Sequence, residues 1–318
     1  MSKVCQISVL CKVAGNVNAD WTVGQRITLK KMQTAEGEVK PFISARAIKY
    51  AIRKALQERG HGIDQFKPLK EGGRIQLTDT GNPIELTDND IFGFMTVIEK
   101  GKKKGEGADK EEKGQASKRQ APIALSYLRA LRGVPISTDL GLRSPRKPDQ
   151  SPLPFETEVA EFIGKLDCLI YDYIGIYQGT EKVGDSFAKK GEKFIDDDKR
   201  RKRLHDFLDI FLPRGTNSLQ IPEYFIALVM LSSAGPKPIY QYLDYELDER
   251  GKVVVDTKLL KTLVERVQKW NKGADPPTHR LVIVKYRDDV IPEELTKLGI
   301  EVTKPEEVID EIVKFMIG

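Results

Sequence analysis

The pattern of apolar and polar positions opens the chain with a strand, because Val4–Val13 is apolar enough to be buried. Gly15-Asn16-Val17-Asn18-Ala19-Asp20 then reads as a loop. A strand pair is expected around 25–32 and 38–43, with Glu36-Gly37 at its turn. The period then changes. Ile48, Ile52, Ala55 and Leu56 recur on one face of a helix over 44–59, with Ser44 as N-cap and Gly60 as terminator. At about 100° per residue, Arg46, Lys49 and Arg53 gather on the outward face of that helix.

Residues 61–90 are rich in Gly, Asp, Asn and Pro and predict an irregular excursion with a short strand near 73–78. Gly101–Arg119 holds no apolar residue beyond alanine, so it cannot bury enough surface to order itself and reads as a mobile loop. Ala121–Arg132 predicts a strand or short helix, and the proline-rich stretch 133–154, with Arg143, Arg146 and Lys147, an extended arm. Leu166–Gln178 is aromatic and β-branched, as a central strand should be. Asp196–Leu212 predicts a helix, and Ile221–Ser233 a more apolar helix closed by Ala234-Gly235-Pro236. A strand at 239–247, a helix at 256–272, a strand at 280–286 and short helices at 291–298 and 305–316 follow. The order strand–helix–strand–strand–helix–strand predicts an α+β, ferredoxin-like (RRM-type) sandwich. It is expected to form one domain over 1–318, decorated by excursions at 15–43, 60–120 and 133–160.

Composition fits a globular protein with a real core: 318 residues, 40% hydrophobic and 31% charged. The net charge of +5 is modest, but its placement is not. Residues 1–60 hold eleven Lys and Arg against four Asp and Glu, so the rest of the chain is slightly acidic. A local anionic partner is implied. Lys30, Lys31, the Arg46/Lys49/Arg53 face and the helix start at Ser44 together read as a surface that follows phosphates. The three cysteines show no CxxC spacing and the three histidines no paired-ligand spacing, so neither a disulfide framework nor a zinc site is indicated. A reducing, cytoplasmic compartment fits best. No apolar run approaches a membrane span.

Other motifs carry less. Gly179–Ser186 has Walker A glycine spacing, but Asp185 stands where the lysine should be, so the default is a loop. Asp90–Val97 resembles half of an RNA-stacking motif, with Phe92 or Phe94 as stacking rings or, more plainly, as core anchors. Asp196–Asp198 and Asp288-Asp289 read as helix-start acids rather than metal ligands. No nucleophile elbow or hydrolytic triad is present, and no helix-turn-helix pattern supports a DNA-binding regulator.

The opening strand, the GNVNAD loop and ITLKK…PFISARAIKYAIRKAL together resemble the backbone subunit of type I CRISPR surveillance complexes. The likeness is to the DevR-like autoregulator branch of the Cas-seven family, found in type I-B Cascade. DNDIFGFM at 88–95, KRQAPIALS at 118–126, PFETEV at 154–159 and Gly235-Pro236 extend it, in order, over residues 4–245. The resemblance implies an RRM-like palm with helical fingers and a thumb, here the arm 133–160. Copies would stack helically along a CRISPR guide RNA, beside other Cascade subunits, and present it for pairing with target DNA. It implies RNA contacts from Asn16, Asn18, Lys30, Lys31, Ser44, Arg46, Lys49 and Arg53, and neither cofactor nor catalytic residue. A separate helicase-nuclease would cut the target. The alternative is a type III-like subunit that cuts target RNA through Asp20 in the early loop.

Overall fold

A computed structural model of the protein describes residues 3–15, 19–23, 26–71, 74–97, 116–144, 151–184, 186–213, 222–291 and 297–318. Strand β1 (Val4–Gly15) alternates as its sequence does, and the alternation builds two cores. Cys5, Ile7, Val9, Cys11 and Val13 face one layer of helices, whereas Leu10 faces the other side of the sheet. Strands β2 (Ala19–Val23), β3 (Arg26–Leu29), β4 (Lys31–Gln33) and β5 (Val39–Ile43) lead to α1 (Ala45–Glu58). The strand expected at 25–32 is split: β3 pairs with β2 and β13 (Leu153–Tyr171), whereas β4 forms the hairpin with β5.

The excursion after α1 is more ordered than its composition suggests. It forms a hairpin of β6 (Lys67–Glu71) and β7 (Arg74–Thr78), then the six-residue helix α2 (Thr87–Phe92), every residue of which is buried. Strand β8 (Phe94–Val97) pairs with β9 (Ala116–Arg119), so the end of the expected mobile loop is a strand. The remainder of that loop lies outside the described residues. The 121–132 segment resolves into two strands, β10 (Ile123–Leu125) and β11 (Leu128–Ala130). Strand β12 (Ser137–Arg143) pairs along its whole length with the first part of β13, making the proline-rich arm a β-hairpin. The central strand thus runs over 153–171 instead of 166–178. After a small hairpin of β14 (Lys182–Val183) and β15 (Ser186–Phe187), α3 (Asp197–Phe211) carries Asp196 as its N-cap, as expected.

The expectation that fails outright is the helix at 221–233. Those residues form β16 (Glu223–Ser232), lying between β1 and β19 (His279–Lys285). The physical reason is two-sided burial: Ala227, Val229 and Leu231 enter one core and Ile226, Leu228 and Met230 the other. A strand buried on both faces has no period-two signal to distinguish it from a buried helix. The strand expected over 239–247 is a 3-10 turn at Tyr240–Tyr242 followed by β17 (Tyr245–Leu247), which pairs with β18 (Val253–Val255). Helix α4 (Thr257–Trp270), β20 (Glu301–Thr303) and α5 (Pro305–Ile317) complete the chain.

The result is a mixed α+β fold on one large sheet, with the path β20-β19-β16-β1-β13-β11-β5-β4. Helices α1, α3 and α5 pack Ile52, Phe207 and Ile312 into one core. Helix α4 covers the opposite face through Leu260 and Leu263. No helix among the described residues is long and apolar enough to cross a membrane.

Candidate nucleic-acid interface

The hairpin that delivers the chain to α1 closes through hydrogen bonds from Thr34 N–H to the Glu38 carbonyl (2.9 Å) and from Gly37 N–H to the Thr34 carbonyl (3.0 Å). Gly37 sits at φ +83°, a conformation that costs glycine little. Ser44 then caps α1, its Oγ accepting from Ala47 N–H at 3.3 Å. The four residues expected on the buried side, Ile48, Ile52, Ala55 and Leu56, are the four buried there. No acid occupies the first turn, so the positive end of the helix keeps its full attraction for anions.

The basic residues expected to follow phosphates divide into two groups. Lys31 Nζ donates to both carboxylate oxygens of Glu158 at 3.0 Å, and Glu158 also accepts from Leu29 N–H at 2.9 Å. Burial raises the Glu158 carboxyl, but the Leu29 and Lys31 hydrogen bonds outweigh it and hold the group below its ordinary range. Lys31 therefore fastens β4 to β13. Lys30 is half-buried beside it.

On α1, Arg46 is exposed and has no ion-pair partner among the described residues. Lys49 and Arg53 turn inward. Lys49 Nζ lies 5.1 Å over the Phe92 ring, and burial, reinforced by the Arg53 charge, lowers its pKa. Arg53 Nε donates to Asp88 Oδ2 at 2.9 Å, and its guanidinium lies 5.4 Å over the same ring. Two expected members of the outward face thus serve the joint between α1 and α2. The stripe that does face outward is Arg46, Tyr50 and Lys54, at i, i+4 and i+8, with Tyr50 70% exposed. Sequence periodicity separates the apolar side from the rest, but it does not say which flank a neighbouring helix covers. The signal for Tyr50 was an exposed aromatic interleaved with cations.

More aromatic and basic surface adjoins the start of α1. Strand β11 pairs Leu128 with Ile43 and Arg129 with Phe42, and the Tyr127 ring lies 5.1 Å from Phe42. Tyr127 is 51% exposed and Arg129 is exposed as well. The stacking role for Phe92 and Phe94 is overturned, since each is only 6% exposed and Phe92 packs edge-on against Phe207. The central strands also present no open face. Gln6 exchanges hydrogen bonds with the Lys237 backbone (2.7 and 2.6 Å), and Tyr240 Oη donates to the Cys168 carbonyl at 3.1 Å. Lys165 donates to the Tyr240 and Leu243 carbonyls. Segment 237–243 therefore lies across the middle of the sheet, whereas α1 and its flanking strands present exposed cations at Arg46, Lys54 and Arg129.

The acidic runs are spent on structure. Asp196 caps α3, Asp197 and Asp198 pair with Arg200 and Arg201, and Asp288 and Asp289 pair with Lys285 and Arg287. No group of three potential metal ligands occurs among the described residues. In the Gly179–Ser186 segment, Lys182 and Val183 pair antiparallel with Phe187 and Ser186, and Asp185 lies outside the described residues. On the arm, Leu140, Leu142 and Leu153 are exposed with Arg143 beside them. Asn16, Asn18, Arg146 and Lys147 lie outside the described residues, as does the side chain of Asp20.

No protein-family model matches the sequence, and no curated protein matches it either. The fold does have solved counterparts. A chain described as a CRISPR RNA-guided surveillance complex aligns over 98% of this chain and 98% of its own, with TM-score 0.56 and 13% identity. Another, from a CRISPR RNA-guided surveillance complex before nicking, aligns over 98% and 99%, with TM-score 0.55 and 11% identity. At such identities the likeness is one of fold.

Proposed function

We propose that this chain is a non-catalytic backbone subunit of a type I, I-B-like, CRISPR surveillance complex. In this reading it binds the guide RNA along its phosphates, repeats in a helical stack with its own copies, and leaves the bases free to pair with target DNA. The observation that carries the reading is the end-to-end likeness of fold to chains of RNA-guided complexes. The order β16-β1-β13-β11, with α1 and α3 as the intervening helices, supports an RRM-like palm. The exposed arm with Leu140, Leu142 and Leu153 suits a thumb that packs on the next copy.

The exposed cations and ring of α1 support a grip on that helix. Arg46 and Lys54 supply charge, Tyr50 an exposed ring, and the uncompensated helix start an anion-attracting end. Tyr127 and Arg129 extend that surface onto β11. Phosphate contacts hold RNA of any sequence, and base pairing does the reading. Lys31, Lys49 and Arg53 support the surface from behind.

Co-expression with the remaining subunits of such a complex tests the proposal. A discrete guide RNA of uniform length should copurify, with several copies of this chain per RNA. Assembly without RNA, or as a lone monomer, would sink it. Regular cleavage of target RNA abolished by Asp20→Ala would replace it with the endonuclease alternative.

A further inference from the structure

A groove of about 850 Å³ opens where β13 ends. Its neighbourhood is fixed by register: Tyr171 pairs with Val4, six residues along β13 from Lys165, which pairs with Arg129. Six strand residues span roughly 20 Å, so the groove is separate from the surface around Arg129. Arg200 holds the chain as it leaves the strand, donating to the carbonyls of Asp172 (2.9 Å) and Ile174 (2.6 Å).

The groove contains an aromatic platform. The rings of Tyr171 and Tyr173 stack with centroids 5.4 Å apart and planes inclined by 20°. Tyr173 Oη donates to the Ala121 carbonyl at 3.3 Å, which fixes its ring, and burial pushes its pKa up to about 12, so the phenol stays neutral. Gln178 is held by the Gln120 backbone, donating to its carbonyl at 2.8 Å and accepting from its N–H at 3.2 Å. The Gln120 side chain is left at the exposed rim.

Charge completes the arrangement. Lys190 lines the groove and has no ion-pair partner among the described residues, whereas Lys3, also on the lining, holds its ammonium 5.5 Å over the Phe315 ring. The third cation, Arg200, is engaged by Asp197 at 2.6 Å. One carboxylate faces them, Asp172, which accepts from Lys3 N–H at 2.9 Å. A stacked pair of rings, an amide at the rim and the Lys190 ammonium are complementary to a planar base carrying a phosphate. The volume suits a ligand of that size.

We propose that this groove binds a nucleotide, its base on the Tyr171/Tyr173 platform and its phosphate toward Lys190. The nucleotide is either free or one unit of a single strand, and both present the same base and phosphate. Titration calorimetry of the full chain, with AMP and separately with a five-nucleotide single-stranded RNA, distinguishes these sources. RNA binding that Tyr171→Leu weakens makes the unit part of a strand, as distinct from RNA held at α1; binding of AMP alone makes it a free mononucleotide.

Lys190→Ala removes an exposed side chain and should weaken binding about fivefold. Tyr171→Leu keeps the bulk but not the aromatic face, and should weaken it about tenfold. Lys258→Ala, on the far side of the sheet, serves as the control and should change nothing. Photocrosslinking of 5-bromouridine RNA to Tyr171 or Tyr173 supplies a readout that does not depend on variants. The proposal is overturned if neither probe binds the wild-type chain. It is equally overturned if binding survives both Lys190→Ala and Tyr171→Leu without a crosslink in the groove.

Discussion

Arg53 on α1 donates through Nε to Oδ2 of Asp88 on α2 at 2.9 Å, and the Asp88 side chain is only 1% exposed. The other carboxylate oxygen of Asp88 accepts from Asp64 N–H at 3.0 Å. A residue whose spacing places it on a nucleic-acid face is thus the counter-ion of a buried acid. Burial pushes the Asp88 carboxyl up, with the Asp64 and Arg53 hydrogen bonds opposing it.

Arg53→Ala should therefore cost stability, because it strands a buried carboxylate. A loss of about 2–3 kcal/mol is expected, below the full range for a buried pair because Arg53 is partly solvated. Arg46→Ala, at an exposed position, should stay within about 0.5 kcal/mol of wild type. Urea denaturation of the two variants checks the difference. Equal stability for both would contradict the assignment.

Arg119 should tolerate no replacement. Its guanidinium is fully buried and donates to Asp90 Oδ1 (2.6 Å), Glu181 Oε1 (2.7 Å) and the carbonyls of Asp90, Tyr173 and Ile176. Arg203 donates to the other Asp90 oxygen at 2.8 Å. Lysine keeps the charge but lacks the fork that reaches five acceptors. Arg119→Lys is expected to lose about 3–5 kcal/mol, read as a lowered denaturation midpoint.

Acid should weaken the start of α3 through Asp197. Hydrogen bonds from Lys193 and Arg200 lower its carboxyl from 3.8 to about 2. A depressed carboxyl stabilises the fold above its unfolded value and loses that contribution as pH falls through the folded one. Asp197→Asn should flatten the thermal-stability profile between about pH 4 and pH 2 while leaving the rest of the profile parallel to wild type.

The arm depends on Gly141. A Cβ there would meet the Phe155 ring at 2.3 Å, directly across the β12–β13 pair. Gly141→Ala should displace that ring and cost about 1–3 kcal/mol locally. Faster amide exchange over Ser137–Val159, with the α1 and α3 amides unchanged, is the expected result. Uniform protection would show that the ring moves aside without cost.

What the sequence made legible follows from solvent contrast. Helix α1 was readable to its cap because Ser44, a four-residue apolar face and Gly60 all agreed, and α3 because Asp196 opened it. Strand β16 was not, since Tyr224–Leu231 is apolar on both faces and carries no period. Helix α2 was hidden because its buried polar residues, Asp88, Asn89 and Asp90, find partners distant in sequence: Arg53, Asp64, Arg119 and Arg203. The same contacts explain why the basic face was misplaced by one flank. Its charges were visible in the sequence, but the helix covering two of them was not.

Arg46, Tyr50 and Lys54 are proposed to grip RNA without reading it. The decisive measurement is affinity for single-stranded RNAs of unrelated sequence across a salt series, for wild type and for Arg46→Ala with Lys54→Ala. Each lost phosphate contact should reduce the slope of log affinity against log salt by about 0.7. The double variant should therefore bind every sequence more weakly, with a slope shallower by about 1.4. An unchanged slope, or weakening confined to particular sequences, would contradict the claim.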